Sequence, residues 1–135
     1  MGDFLISTRV FRDGVGVEFS NMWININQKR DYNILHNHPN CNLSGVFWIK
    51  TPENSGKLHF VNHNDFTEHT FLKCVQESVI DKYFAYFQFQ MDLVPGRIVL
   101  FPSHLRHGVQ PNQSREDRIS ISFNIHLTEP EEDED

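Results

Sequence analysis

The sequence predicts a mainly β domain, an antiparallel sandwich or barrel of the jelly-roll class. Three observations lead there. Roughly eight short runs rich in β-branched and aromatic residues alternate with turn residues, little of the chain carries a helical period, and no segment repeats another. An immunoglobulin-like sandwich is the alternative, and its cysteine–tryptophan framework suits this chain less well.

The elements follow in order. Within residues 14–27, Met22 to Asn27 alternates apolar and polar residues, the period-two pattern of a half-buried strand. Asp31 to Leu35 is a second short strand, leading into a histidine pair. Gly45 to Ile49 is β-branched and aromatic, and Thr51 to Gly56 ends it in a turn. Lys57 to Val61 resumes as a strand, so the two are expected to form a hairpin. From Asn62 to Ile80 the signal is polar, which reads as a long loop with a short helix, a length more often functional than idle. Tyr83 to Leu93 restores alternation, with Tyr83, Ala85, Phe87, Phe89 and Met91 on one face. Pro95-Gly96 is a turn, Arg97 to Phe101 a strand, Asn112 to Asp117 a polar turn, and Arg118 to Leu127 the last strand.

At 135 residues the chain is long enough for one core, assigned to residues 1–128 as a single domain. Phe supplies 12 of the aromatics, packing volume that brings no polar atom to satisfy. The net charge of −6 is concentrated: six acids lie in residues 129–135, a self-repelling tail expected to be disordered. Without it acids and bases balance, which argues against a broad basic face and leaves no strong nucleic-acid signature. Cys41 and Cys74 read as two reduced thiols rather than a disulfide framework. No apolar run approaches the ~20 residues of a membrane span, and the N-terminus has no basic region ahead of an apolar stretch. A soluble, cytoplasmic protein is expected. The aromatic run at 83–91 serves either as core or as a homodimer contact.

The chemistry is concentrated in three places. His36-Asn37-His38 puts two imidazoles at i and i+2, on one face of a strand. His107 follows just beyond the strand that ends at Phe101-Pro102. Two ligands close in sequence and one distant is the pattern of a facial three-ligand metal site with open positions. Eleven residues on, Arg118, Ser120, Ser122 and Asn124 share one face of the last strand, opposite Ile119, Ile121 and Phe123. A polar face inside an apolar fold requires a polar ligand or water against it. An arginine with a serine two residues on can take a carboxylate by its planar fork and one hydroxyl. Each feature alone has an ordinary reading: a surface His-x-His, a histidine beside a turn, an arginine paired with Glu116 or Asp117. Their joint order is much harder to obtain by chance.

In that order the sequence resembles a family of 2-oxoglutarate- and Fe(II)-dependent oxygenases found in bacteria and their phages. The matching blocks are His36 to Asn40, Leu43 to Trp48, Pro52 to Gly56, Leu100 to His107, Val109 to Pro111 and Arg118 to Asn124, with Trp23 and Asn25 upstream. The resemblance covers roughly residues 22–126 and implies a double-stranded β-helix, Fe(II) as metal and 2-oxoglutarate as co-substrate. It places metal ligands at His36 and His107 and the distal carboxylate at Arg118, helped by Ser120. One departure stands out. His38 occupies the position two after the first ligand, where the wider superfamily carries Asp or Glu, so three neutral imidazoles would hold the metal. Ser44 and Trp48 are expected to line the pocket, Asn124 to hydrogen-bond substrate or a metal-bound oxygen, and the 62–80 loop to act as a lid. His59 is the replacement should His38 not coordinate; His63, His69, His104 and His126 are expected away from the metal. The reaction implied is oxidative decarboxylation of 2-oxoglutarate to succinate and carbon dioxide, coupled to hydroxylation of an unidentified substrate. A cupin-like metal protein, a three-histidine dioxygenase that does not use 2-oxoglutarate, and a binding module without turnover are the competing readings.

Overall fold

The computed structural model of the chain describes residues 11–62, 74, 76–78 and 88–130. Among the described residues eight strands form where β-branched and aromatic residues displace turn formers: β1 Gly16–Asn27, β2 Asn33–His36, β3 Leu43–Lys50, β4 Lys57–Val61, β5 Gln88–Asp92, β6 Ile98–Pro102, β7 Arg106–Val109 and β8 Arg118–Thr128. They build two antiparallel four-stranded sheets, ordered β1-β8-β3-β6 and β2-β7-β4-β5. The chain passes from one sheet to the other at every connection except β4 to β5, which is jelly-roll connectivity. Among the described residues no helix is long and apolar enough to cross a membrane.

Three expectations change. The β3–β4 hairpin does not form, because β3 pairs with β6 and β8 whereas β4 pairs with β5 and β7. The Pro52–Gly56 turn carries the chain across the sandwich instead, with positive φ at Asn54 (61°) and Gly56 (92°). A Cβ at Gly56 would stand 2.6 Å from the Gln110 carbonyl oxygen, so glycine permits both the turn and its close approach to the strand behind it. Secondly, Arg106–Val109 is a strand of its own rather than loop, which puts His107 inside a sheet. Thirdly, β1 buries the opposite face from the one its apolar residues suggest. Met22, Ile24 and Ile26 are 59–64% exposed on the outside, while Trp23 and Asn25 line an interior cavity. The expected run at 83–87, most of the 62–80 loop, and residues 131–135 of the tail lie outside the described residues.

A bulge explains the phase of β1. Its register against β8 shifts between Phe19 and Asn21, leaving Ser20 as an extra residue. Before the shift, Val17 packs beside Phe123 and Ile125, and the Phe19 ring lies 5.7 Å from that of Phe123. After it, Asn21, Trp23 and Asn25 turn to the other side of the sheet and meet Asn124, Ser122 and Ser120.

Two apolar clusters result. Between the sheets, Val46, Trp48, Leu58 and Val109 pack with Phe60, Met91, Leu93 and Val99. On the other side of β8, Phe123 and Ile125 pack with Phe11, Val17, Leu43, Leu100 and Leu127. The inter-sheet cluster fills only part of the sandwich. The remainder is a cavity where Asn, Ser and His side chains share the lining with Trp23, Trp48, Phe101 and the edge of the apolar cluster.

Candidate metal centre

β2 and β7 run antiparallel with His36 directly opposite His107, so the two imidazoles meet across a strand pair, ring centroids 4.3 Å apart. The chain leaves β2 after His36, and the His38 backbone N–H donates to the Ser103 carbonyl at 2.9 Å. That anchor brings the His38 ring within 5.0 Å of His36 and 5.2 Å of His107. The ligand atoms of all three lie within 4.8 Å of one another, the convergence one small cation requires.

The second nitrogen of each ring decides what the first can do. His36 Nδ1 lies 2.5 Å from the Ile34 carbonyl oxygen and His107 Nδ1 2.9 Å from that of Leu105. A backbone carbonyl only accepts, so both rings carry Nδ1–H, and the neutral tautomer this selects has its lone pair on Nε2. His38 Nδ1 faces Asn124 Oδ1 at 2.7 Å, and its Nε2 is buried with no hydrogen-bond partner. Burial disfavours the cationic form of His107 and His38. It pulls His107 down to about 4, aided by the neighbouring histidines and opposed by the Leu105 hydrogen bond; His38 is lowered too, chiefly by burial and against its bond to Asn124. Three neutral imidazoles aimed at one point, one with an orphaned nitrogen, fit a borderline divalent metal such as Fe(II). Aromatic rings enclose them: Phe101 lies 4.5 Å and Phe60 6.2 Å from His107, and Trp23 stacks on His38 at 5.9 Å and 21°.

From the histidines a cavity of about 70 Å³ runs between the sheets, walled by Asn25, Asn33, Ser44, Trp48, Ser120 and Ser122 among others. Arg118 lies wholly buried beside it. Its Nη1 donates to the carbonyl oxygens of Ser55 and Gln110, and its Nη2 to Asn33 Oδ1 at 3.3 Å, while Nε–H has no partner. No carboxylate pairs with this cation among the described residues; Asp31 only biases it from a distance. Burial lowers the guanidinium to about 10. A buried arginine with spare donors and no counter-charge is a site for an anion.

Of the residues read from the sequence, His36, His38 and His107 converge, and Ser44, Trp48 and Ser120 line the cavity. Asn124 is placed differently. Its Oδ1 is taken by His38 and by Ser44 Oγ at 2.8 Å, and its Nδ2 donates to Asn21 Oδ1 at 2.9 Å, so its carbonyl is not available to a substrate. His59 is outside the cluster: β4 directs Leu58 and Phe60 inward, and His59 stands over Gly108 on the other face of the sheet. His104 and His126 are exposed, and His63 and His69 lie outside the described residues. Sequence reading missed Asn21, Asn33, Ser55, Ser103 and Gln110. The strand phase of Asn33 and of Asn21 was a usable signal, but carbonyl acceptors such as those of Ser55 and Gln110 leave no trace in residue type.

The sequence profile of the family described as "Putative 2OG-Fe(II) oxygenase" matches residues 21–124, from the bulge of β1 to the asparagine that holds His38. The chain belongs to this family. Fe(II) and 2-oxoglutarate are the family's metal and co-substrate, and its members are enzymes. No curated protein matches the chain. Among solved structures, an oxidoreductase of the 2OG-Fe(II) oxygenase family from Burkholderia pseudomallei superposes with a TM-score of 0.69 at 12% identity, over 93% of this chain and 51% of that one. A Pseudomonas putida prolyl-4-hydroxylase gives 0.59 at 16% identity, over 92% and 59%. Iron-bound HygX from Streptomyces hygroscopicus gives 0.60 at 14%, over 93% and 64%. At these identities the likeness is one of fold, the oxygenase jelly roll. The chain spans between half and two thirds of the length of each.

Proposed function

We propose that this member of the 2OG-Fe(II) oxygenase family is an active oxygenase in which His36, His38 and His107 hold Fe(II) and Arg118 with Ser120 holds the distal carboxylate of 2-oxoglutarate. One observation carries the reading: three histidines line the cavity, and behind Asn33 of its wall lies a buried cation with no anion among the described residues. Fe(II), when bound, supplies activation of oxygen coupled to decarboxylation of the 2-oxo acid. The chain supplies the rest. The Ile34 and Leu105 carbonyls fix the tautomers of two ligands, so the metal meets nitrogen lone pairs rather than N–H groups. Ser55, Gln110 and Asn33 orient the guanidinium and leave Nε–H for the incoming acid. Trp23, Phe60 and Phe101 exclude water around the histidines. Asn25 Nδ2 bonds Ser122 Oγ at 2.8 Å and Ser120 Oγ at 3.4 Å, holding the hydroxyls of that wall in place.

A three-histidine dioxygenase without 2-oxoglutarate would have no use for a buried, unpaired Arg118, and a binding module none for both that cation and the histidine cluster. The protein reconstituted with Fe(II) under anaerobic conditions and then exposed to oxygen is expected to release succinate in proportion to 2-oxoglutarate consumed. Absence of succinate, together with no thermal protection by 2-oxoglutarate, refutes the assignment. The primary substrate is a separate molecule, and the enzyme is inferred to act as a soluble intracellular protein.

A further inference from the structure

His36 and His107 are held by backbone carbonyls, which have one role in a hydrogen bond. His38 differs, because its partner is the side-chain amide of Asn124, which can present either an oxygen or an NH2 group. Turned one way, Asn124 accepts from Nδ1–H and leaves a lone pair on Nε2. Turned the other way, it donates to Nδ1 and forces the proton onto Nε2, where it would block a metal. The neighbours of Asn124 are arranged to match the first state. Asn21 Oδ1, itself receiving Ser20 Oγ at 3.1 Å, accepts from Asn124 Nδ2 at 2.9 Å. On the opposite side Ser44 Oγ donates to Asn124 Oδ1 at 2.8 Å and sits 2.8 Å from Ser103 Oγ. Asn124, Ser44 and Ser103 are 4% exposed or less, so water does not compete with the Ser44 bonds, whereas Asn21 stands at the surface. The protonated alternative would also bury an N–H on His38 Nε2 with no acceptor.

We propose that Asn124, oriented by Asn21 and Ser44, is a positioning residue that holds His38 in the Nδ1–H tautomer and so makes it the third metal ligand. The inference rests on the three-histidine reading of the centre. It also gives the β1 bulge a purpose, since the extra Ser20 is what turns Asn21 inward to face Asn124. Asn124 does the work that a carboxylate often does behind a ligating histidine, without adding charge.

The test uses the full chain and Co(II) as probe, reading affinity by calorimetry and ligand geometry by the visible absorption of the bound ion. Wild type is expected to bind one Co(II). Asn124→Leu is expected to weaken binding roughly 10- to 100-fold, the range for loss of an outer partner of a ligand, and to change the absorption envelope. Asn124→Asp keeps an acceptor toward His38, with the Asn21 amide turned to donate, and is expected to bind at least as tightly as wild type. In a His38→Ala background Asn124→Leu is expected to change affinity less than twofold, because Asn124 acts through His38. Unchanged affinity and spectrum in Asn124→Leu overturns the proposal. So does an Asn124→Asp variant as weak as Asn124→Leu, or a full Asn124→Leu effect without His38. Thermal midpoints of the metal-free variants separate misfolding from lost positioning, and the Asp variant decides the matter if the Leu variant does not fold. A wild type that binds no Co(II) removes the three-histidine reading itself, an outcome distinct from all of these.

Discussion

Replacing Arg118 with methionine separates the buried cation from the histidine cluster. In the metal-free, ligand-free protein the substitution has opposing effects. A guanidinium pulled down to about 10 by burial is penalised in its charged form by roughly 3 kcal/mol, and methionine removes that cost. It also strips a donor from the Ser55 and Gln110 carbonyls and from Asn33 Oδ1, each lost bond costing about 1 kcal/mol. The sum is near zero, so Arg118→Met is expected to fold with a stability within about 1 kcal/mol of wild type. The ligand-bound state should differ sharply. At 100 times its dissociation constant, 2-oxoglutarate stabilises the metal-loaded wild type by about 2.7 kcal/mol, which in a domain of this size raises the melting temperature by roughly 10 °C. The variant is expected to lose that shift and keep its affinity for Fe(II) under anaerobic conditions. Differential scanning fluorimetry with and without 2-oxoglutarate, beside metal calorimetry, measures both. A variant that retains the 2-oxoglutarate shift refutes the anion role of Arg118; one that loses metal and 2-oxoglutarate together makes the arginine a structural support.

Acid should destabilise the metal-free protein through His107. Its folded pKa of about 4 lies below the unfolded 6.5, so the unfolded chain binds the extra proton as pH falls. Stability is therefore full above about pH 6.5 and declines toward pH 4, by roughly 3 kcal/mol; urea titrations of His107→Gln should show a flatter profile. Gly45→Ala tests the packing that supports the centre. A Cβ there would stand 2.2 Å from the Phe123 ring and 2.9 Å from Leu100, so a loss of about 3 kcal/mol is expected in denaturant melts, and a stability equal to wild type would show that β3 and β8 can part.

Much of the site was readable because it is built from side chains in strand phase. Arg118, Ser120, Ser122 and Asn124 alternate with Ile119, Ile121 and Phe123, and only one of those faces can line a polar cavity. His36 and His38 were legible from their spacing together with the distant His107, although His38 lies beyond the end of β2 and not in strand phase. Alternation says which residues share a face but not which face is inside, and β1 shows the difference. Its isoleucines look like core and are exposed, because the bulge at Ser20 turns Trp23 and Asn25 to the cavity instead. Pairing was harder to read for another reason. The Pro52–Gly56 turn has the composition of a hairpin turn, and only the long-range bonds of Gln110 to Lys57 and Gln113 to Asn54 show that it crosses between sheets. The cradle of Arg118 was invisible for a third reason, since two of its three acceptors are main-chain carbonyls that any residue would provide.

The bulge in β1 makes the chain unequally sensitive to two kinds of genetic change. Ser20 is exposed, and substituting it leaves the count of residues along the strand intact. Deleting it removes one residue from that count, and the two halves of β1 can no longer both keep their sides of the sheet. Either Val17 and Phe19 abandon the cluster around Phe123, or Asn21, Trp23 and Asn25 leave the chamber and bring Met22, Ile24 and Ile26 in against the polar face of β8. A lesion of one codon, at a surface serine that touches no candidate ligand, would thus exchange a hydrophilic wall for a greasy one. Position 20 should tolerate a change of letter, at the loss of one hydrogen bond to Asn21, far better than a gap.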